Sequence, residues 1–294
     1  MNRRYHIRHR TTYCYAELVD LSYNQVRLTP RSHPGQTVIS TRVAIEPKPV
    51  SLGTHRDAFG NEVSYFEVAQ PHRKMSILAE SIVETESEKL NPQRFGERPW
   101  EAIRDRVREG HGGVEDVFFS MPTPTVPCSE PLLQYARPSF PAGRSLRDAA
   151  MDLMQRIFRE FAFDNTATTV STPLHEVLEK RRGVCQDFAH LGIGCLRSMG
   201  LPARYVSGYI ETVPPPGKER LVGVDASHGW FAVLDPDTGW LELDPTNNIV
   251  RGCQHIVVAY GRDYADTAPV KGLTVGSGSH ELVVEVDVVP TSES

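Results

Sequence analysis

The run Arg182-Gly183-Val184-Cys185-Gln186-Asp187-Phe188-Ala189-His190, continuing through Leu191, Cys195, Leu196 and Met199 to Gly200-Leu201-Pro202, decides how the chain is read. Phe188, Leu191, Cys195, Leu196 and Met199 recur at helical spacing, and Gly200-Leu-Pro202 supplies a stop. The spacing therefore predicts a buried helix with Cys185 in its first turn. Gly183 suits a tight entry into that helix. Beyond it, strands are expected at Ala203–Ile210 and at 229–234, 240–243, 256–260 and 282–289, with a proline-rich loop at Pro214–Pro216. A helix entering an antiparallel sheet is an α+β arrangement.

On the N-terminal side, Ser145-Leu-Arg-Asp148 offers a helix cap with an acid at the third position. Ala149, Leu153, Ile157 and Phe161 then recur every four residues and build one apolar face. A second helix is expected over 173–181, with Thr172 as cap and Pro173 at its first position. Earlier still, 100–109 reads as a short charged helix and 110–141 as a Pro/Gly-rich connection. Residues 1–86 read as strands, clearest at 26–28, 37–45, 62–68 and 77–83, punctuated by Pro30, Pro34-Gly35, Pro47, Pro49 and Asp57-Ala-Phe-Gly-Asn61. Short strands with such turns predict a β-sandwich. The expected division is a sandwich over 1–86, a connecting segment over 87–143 and a core over 144–294 that includes the C-terminal strands.

The composition is that of an ordinary globular protein, with 39% hydrophobic and 23% charged residues in a chain of 294. With 32 basic and 37 acidic side chains the net charge is −5, which leaves no basic face for nucleic acid. No apolar run approaches the roughly 18–20 residues that a membrane span needs. The opening MNRRYHIRHRTTY is basic and lacks an apolar export segment, so a cytoplasmic location is expected. The five cysteines (Cys14, Cys128, Cys185, Cys195 and Cys253) are odd in number and scattered, as free thiols in a reducing compartment would be.

Of these five, Cys185 alone sits where a thiolate is favoured, because a helix N-terminus presents unpaired amide N–H groups and the positive end of the dipole. Cys195 falls within the apolar stripe and is expected to be inert. The partners lie downstream. Ser227-His228-Gly229-Trp230 through Leu234, and Gly239-Trp240 through Asp244-Pro245, flank Asp235-Pro-Asp-Thr-Gly239 and read as a hairpin. Pairing Leu234 with Trp240 makes opposed positions sum to 474, which places Trp230 across from Asp244 and His228 one diagonal step away on the same face. An imidazole that takes the thiol proton, oriented by a carboxylate, is the arrangement nucleophilic thiol catalysis requires. The Cys185 amide, with Gln186 or Trp230, is the candidate oxyanion donor. A metal reading of Cys185, His190 and Cys195 fails on geometry. Five helical residues leave a rotation of about 140°, so the three side chains point to different faces. No metal and no cofactor are expected.

Gly183-Val-Cys185-Gln-Asp-Phe-Ala-His190, Leu201-Pro-Ala-Arg-Tyr-Val-Ser-Gly208-Tyr209, Asp225-Ala-Ser-His228-Gly-Trp230 and Asp244-Pro-Thr-Asn247 together resemble the bacterial transglutaminase-like proteins. Gly261-Arg-Asp-Tyr264 and Asp266-x-Ala-Pro269 resemble later blocks of that family, and the segment with Asp57-Ala-Phe-Gly-Asn61 is similar to its N-terminal β domain. The resemblance implies a papain-like thiol enzyme with Cys185 as nucleophile, His228 as base and Asp244 as orienting acid. It further implies a protein or peptide amide as substrate. Hydrolysis is the expected outcome, with amine transfer, as in a transglutaminase, or a weakly active interaction module as alternatives. One departure stands out: Gly229 replaces the Ala usual between the His and the Trp, which loosens the strand carrying the base.

Overall fold

The computed structural model describes residues 2–87, 93, 97–111, 113–211, 227–276 and 278–291. The Pro214–Pro216 loop, together with Asp225 and Ala226, lies outside the described residues. The N-terminal part forms β1 (Asn2–Val19), β2 (Leu21–Val26), β3 (Gln36–Glu46), β4 (Ser51–Arg56), β5 (Glu62–Val68) and β6 (His72–Glu86). The middle of the chain supplies α1 (Trp100–Arg108), α2 (Val114–Ser120), α3 (Glu130–Ala136), α4 (Leu146–Glu160), β7 (Ala162–Phe163), α5 (Leu174–Lys180), β8 (Arg182–Gly183) and α6 (Cys185–Ser198). There follow β9 (Ala203–Ile210), β10 (Ser227–Asp235), β11 (Gly239–Asp244), β12 (Ile249–Val250), β13 (His255–Gly261), α7 (Tyr264–Thr267), β14 (Val270–Val275) and β15 (His280–Thr291). The architecture is α+β, as the sequence predicts.

Two four-stranded sheets, ordered β15-β1-β6-β3 and β14-β2-β5-β4, make the sandwich. Val19, Val26, Phe66, Val68, Met75 and Ile77 fill the space between them. Both sheets borrow a strand from the far end of the chain. β14 pairs with β2 (Val270 opposite Val26) and β15 with β1 along its length (Ile7 opposite Val288). The expected grouping of the C-terminal strands with the core is therefore corrected. Val286 and Val288 alternate into the apolar cluster shared with Tyr5 and Ile7, and that burial fixes their place beside β1.

The core sheet runs β12-β11-β10-β9-β13. On one face Phe231 and Val233 join the helix layer, where Leu153, Ile157, Leu191 and Leu196 are fully buried. α6 lies at the centre of that layer, buried from Gln186 through Arg197. Ser145 caps α4 by accepting the Asp148 N–H at 3.1 Å, as its sequence signature predicts. The Pro/Gly-rich connection over 110–141 carries two short helices that its sequence does not single out, α2 and α3, whose Phe119, Leu132 and Tyr135 are buried.

The other face of the core sheet meets the sandwich. β13 is an edge strand, and two side-chain amides close it. Gln36 donates to Val257 O and accepts from Val257 N, both at 2.8 Å. Asn61 does the same at Tyr260, at 2.7 and 2.8 Å. Asp57 shapes the loop behind Asn61 by accepting the N–H groups of Phe59 and Asn61 at 3.0 and 2.9 Å. The Asp57–Asn61 turn thus docks one half of the chain on the other. Among the described residues no helix is long and apolar enough to cross a membrane.

Candidate active site

Three elements converge at the start of α6. Val184 is the residue before the helix, and its N–H donates to Asp187 Oδ2 at 2.9 Å, a hydrogen bond that fixes the first turn. Thr168 donates to the same oxygen at 2.6 Å. Gly183 makes room for this cap, since a Cβ there would lie 2.6 Å from Asp187 Oδ2. The first helical hydrogen bond runs from Phe188 N to Val184 O at 3.1 Å, so the amides of Cys185, Gln186 and Asp187 precede the ladder. Cys185 is half-buried at this positive end, while Cys195 is fully buried and its thiol is pushed up by burial.

The hairpin has the register the sequence predicts: Leu234 opposes Trp240 and Phe231 opposes Leu243. His228 and Asp244 lie just beyond that ladder on one face, with His228 Nε2 2.8 Å from Asp244 Oδ2. Burial depresses the imidazole's pKa, but hydrogen bonds to Asp244 and to Cys185, reinforced by their charge, outweigh it and carry it from 6.5 up to about 10. With Nε2 taken by Asp244, the ring nitrogen left for the thiol is Nδ1. Asp244 is fully buried, and burial disfavours its charge. Its hydrogen bonds to His228 and His255 nevertheless hold the carboxyl well below the usual range.

Asp244 is the hub of the site. Oδ1 accepts the backbone N–H groups of Thr246 (3.0 Å) and Asn247 (3.2 Å). Oδ2 accepts from His228, from the Asn247 side chain at 2.8 Å and from His255 Nε2 at 3.1 Å. Sequence reasoning missed both Asn247 and His255 as parts of the site. Asn247 was visible in the Asp244-Pro-Thr-Asn247 block, whereas His255 enters from β13, which no local pattern connects to the hairpin.

Trp230 does not serve as an oxyanion donor. Its ring is fully buried and its Nε1–H donates to Glu242 Oε2 at 2.9 Å. Its role is packing, 5.8 Å from the His228 ring centroid and edge-on to His255 at 5.1 Å. Gln186 is the second residue of α6 and is buried beside the thiol. Gly229 also finds its reason here. A Cβ at Gly229 would lie 2.0 Å from the Tyr205 hydroxyl, so the tyrosine occupies the space an alanine would claim. Burial, and then the neighbouring Cys185, keep the hydroxyls of Tyr205 and Tyr264 protonated.

His228, Asp244 and His255 are donors of the type a divalent transition metal takes, with ligand atoms within 4.8 Å of one another. Their spacing is that of hydrogen bonds. Both imidazoles point Nε2 at one oxygen, at 2.8 and 3.1 Å, whereas ligands about 2.0 Å from a tetrahedral zinc stand roughly 3.3 Å apart. Cys185 is not among the residues whose ligand atoms come within that distance, so the thiol does not join this set. His190, from the rejected metal reading, accepts the Tyr264 N–H at 3.0 Å inside the core.

Two family profiles match the chain: the bacterial transglutaminase-like N-terminal region over residues 5–84 and the transglutaminase-like superfamily over 135–245. An uncharacterized protein of Mycobacterium tuberculosis is 42% identical over 98% of this chain and 93% of its own length. Another, from Mycobacterium leprae, is 34% identical over 95% and 96%. A protein-glutamine gamma-glutamyltransferase of Pseudomonas aeruginosa is 35% identical over 25% of the chain and 11% of that protein. Among solved structures, a candidate cysteine protease from Cytophaga hutchinsonii shares the fold, with a TM-score of 0.75 at 19% identity over 100% of this chain and 93% of that one.

Proposed function

The chain belongs to the transglutaminase-like superfamily, an enzyme superfamily, and within it we propose a cysteine-dependent amide hydrolase that works through Cys185, His228 and Asp244. The observation that carries this reading is a half-buried thiol at a helix N-terminus together with a buried imidazole 2.8 Å from a fully buried carboxylate, the thiol and the carboxylate both favouring the charged ring. An imidazole held this readily in its charged form takes the Cys185 proton and leaves a thiolate–imidazolium pair.

The thiolate attacks the carbonyl carbon of a carboxamide, and the oxygen takes up negative charge near the free amides of the first turn of α6. Collapse of this adduct breaks the C–N bond. His228 delivers its proton to the departing amine, and Cys185 remains as a thioester. Water then attacks the thioester and loses a proton to His228. The free acid leaves, and the proton on His228 restores the ion pair. Throughout, Asp244 fixes the ring so that Nδ1 faces the sulfur.

Hydrolysis is favoured over amine transfer because the two tryptophans able to wall an acceptor channel are committed elsewhere. Trp230 is buried against Glu242, and Trp240 packs edge-on to Phe119 at 5.1 Å with the Arg204 guanidinium 4.1 Å above its ring. The test is mass spectrometry of a peptide carrying a glutamine, incubated with a millimolar primary amine. Cleaved peptide or free acid as the main product, absent with Cys185→Ala, supports hydrolysis. A saturable amine adduct as the main product would assign the chain to transfer.

A further inference from the structure

The carboxylate at the heart of the site receives a second imidazole from β13, a strand paired with β9 rather than with the hairpin turn. We propose that His255 is a positioning residue: a fixed neutral donor that keeps Asp244 ionised and aimed at His228. This rests on the thiol reading above and extends it to a fourth side chain.

The tautomer is set by the backbone. The Gly252 N–H points at His255 Nδ1 from 3.3 Å, so that nitrogen accepts and the ring proton sits on Nε2, facing Asp244 Oδ2 at 3.1 Å. The charges facing this ring are His228, Asp244 and Arg251. Burial disfavours a cation at His255, as do Arg251 and a charged His228; together they outweigh Asp244 and lower its pKa. Oδ2 thus meets one charged imidazole and one neutral one, and the two do not compete for the same proton.

The ring cannot readily turn away. His255 is fully buried and packs edge-on to Trp230, which is anchored on Glu242. Its backbone opens the edge strand that Gln36 and Asn61 clamp, two and five residues further on. The sandwich thereby reaches the reacting groups through His255. Without this donor a buried carboxylate takes up a proton more readily, and the hydrogen bond that orients His228 is lost over a wider acid range.

The test uses the full chain and iodoacetamide, which reports the thiolate without any substrate. Cys185 alkylation is followed by peptide mapping from pH 4 to 9 in the parent, His255→Phe and His255→Gln, each checked for native circular dichroism. The acid limb of the parent profile should move up by about one pH unit in His255→Phe, a tenfold loss of rate on that limb. His255→Gln, which keeps an N–H near the Nε2 position, should restore it. A profile that superimposes on the parent, or falls evenly at every pH, would make His255 mere packing and overturn the inference. Nitrogen NMR of the imidazoles in the parent gives a reading that needs no variant. A neutral Nε2–H tautomer at His255 is expected at pH 8, and an Nδ1–H ring there refutes it. Failure of Cys185 to alkylate ahead of the other cysteines would instead strike the thiol reading itself.

Discussion

Replacing Asp244 with Asn is the sharpest test of the site, because the geometry dictates how the change must fail. Asp244 accepts five hydrogen bonds in the structure and donates none. An asparagine can keep its Oδ1 on the Thr246 and Asn247 amides only by turning its own NH₂ toward three donors. The least costly escape is for His228 to accept at Nε2, which moves the ring proton to Nδ1, where it blocks acceptance from the thiol. The charge is lost as well. The rise of His228 from 6.5 to about 10 is worth on the order of 5 kcal/mol at about 1.4 kcal/mol per pH unit. Asp244 and Cys185 supply it jointly against the burial penalty, so losing Asp244 removes at least roughly half, a factor of about 10². With the wrong tautomer added, turnover should fall by about 10³–10⁴, in line with such carboxylates elsewhere. The assay is release of free acid from a glutamine peptide, run beside Cys185 alkylation at pH 6, with Asp237→Asn as control because Asp237 sits in the hairpin turn paired with Arg98 and Arg106. Asp244→Asn within tenfold of the parent, or a matching loss at Asp237, would refute the reasoning.

Other outcomes follow from the same structure. Gly229→Ala should cost about 1–3 kcal/mol, because the new methyl group meets the Tyr205 hydroxyl at 2.0 Å. Thermal melts should show part of that loss recovered by adding Tyr205→Phe, and an unchanged Tm for Gly229→Ala would contradict the close packing. Glu242→Gln should destabilise by about 3–5 kcal/mol in urea titrations, since Glu242 faces the buried Arg251 and Arg204 at 3.4 and 3.7 Å, and a loss below about 1 kcal/mol would show that these guanidinium groups need no counter-charge. Stability should peak near pH 7, where the proton counts of the folded and unfolded chains at these histidines become equal. Above it the contribution of His228, whose folded pKa is raised to about 10, is lost as pH climbs. Below it His9, His33 and His190, held by burial at about 4, make folding less favourable as the unfolded chain takes up protons. Urea melts from pH 4 to 10 check both limbs, and Asp244→Asn should flatten the alkaline one.

The parts of this architecture that are legible in the sequence are those with short-range causes. The helical spacing from Phe188 to Met199 places the start of α6, and a turn-rich loop between two apolar runs sets the hairpin register to the residue, which brings His228 and Asp244 together. What stays hidden depends on distant partners. Trp230 reads as a donor facing the site until Glu242, a neighbour across the sheet, takes its N–H. The prolines between 110 and 141 mask α2 and α3, whose stability comes from tertiary burial of Phe119 and Leu132 rather than from local propensity. His255 lies eleven residues beyond Asp244, and only the fold of β13 across β9 returns it. The destination of β15 was equally invisible, because an alternating strand carries its face in its sequence but not its neighbour.

The pairing of β1 with β15 has a consequence for how the protein comes to exist. On the ribosome, residues 2–86 emerge with both of their sheets short of a strand, and the missing strands follow only after the helix layer and its sheet have been made. The helix layer and its sheet are an insertion between the two halves of the sandwich. They must therefore form, or wait, while β1 presents an unpaired edge from Arg4 to Tyr15. The Gln36 and Asn61 clamps on β13 close only after residue 260 has been synthesised. Completion of the sandwich and seating of His255 thus both come after the thiol has been made, so a nascent chain that stops short of them would carry the thiol without the machinery to arm it.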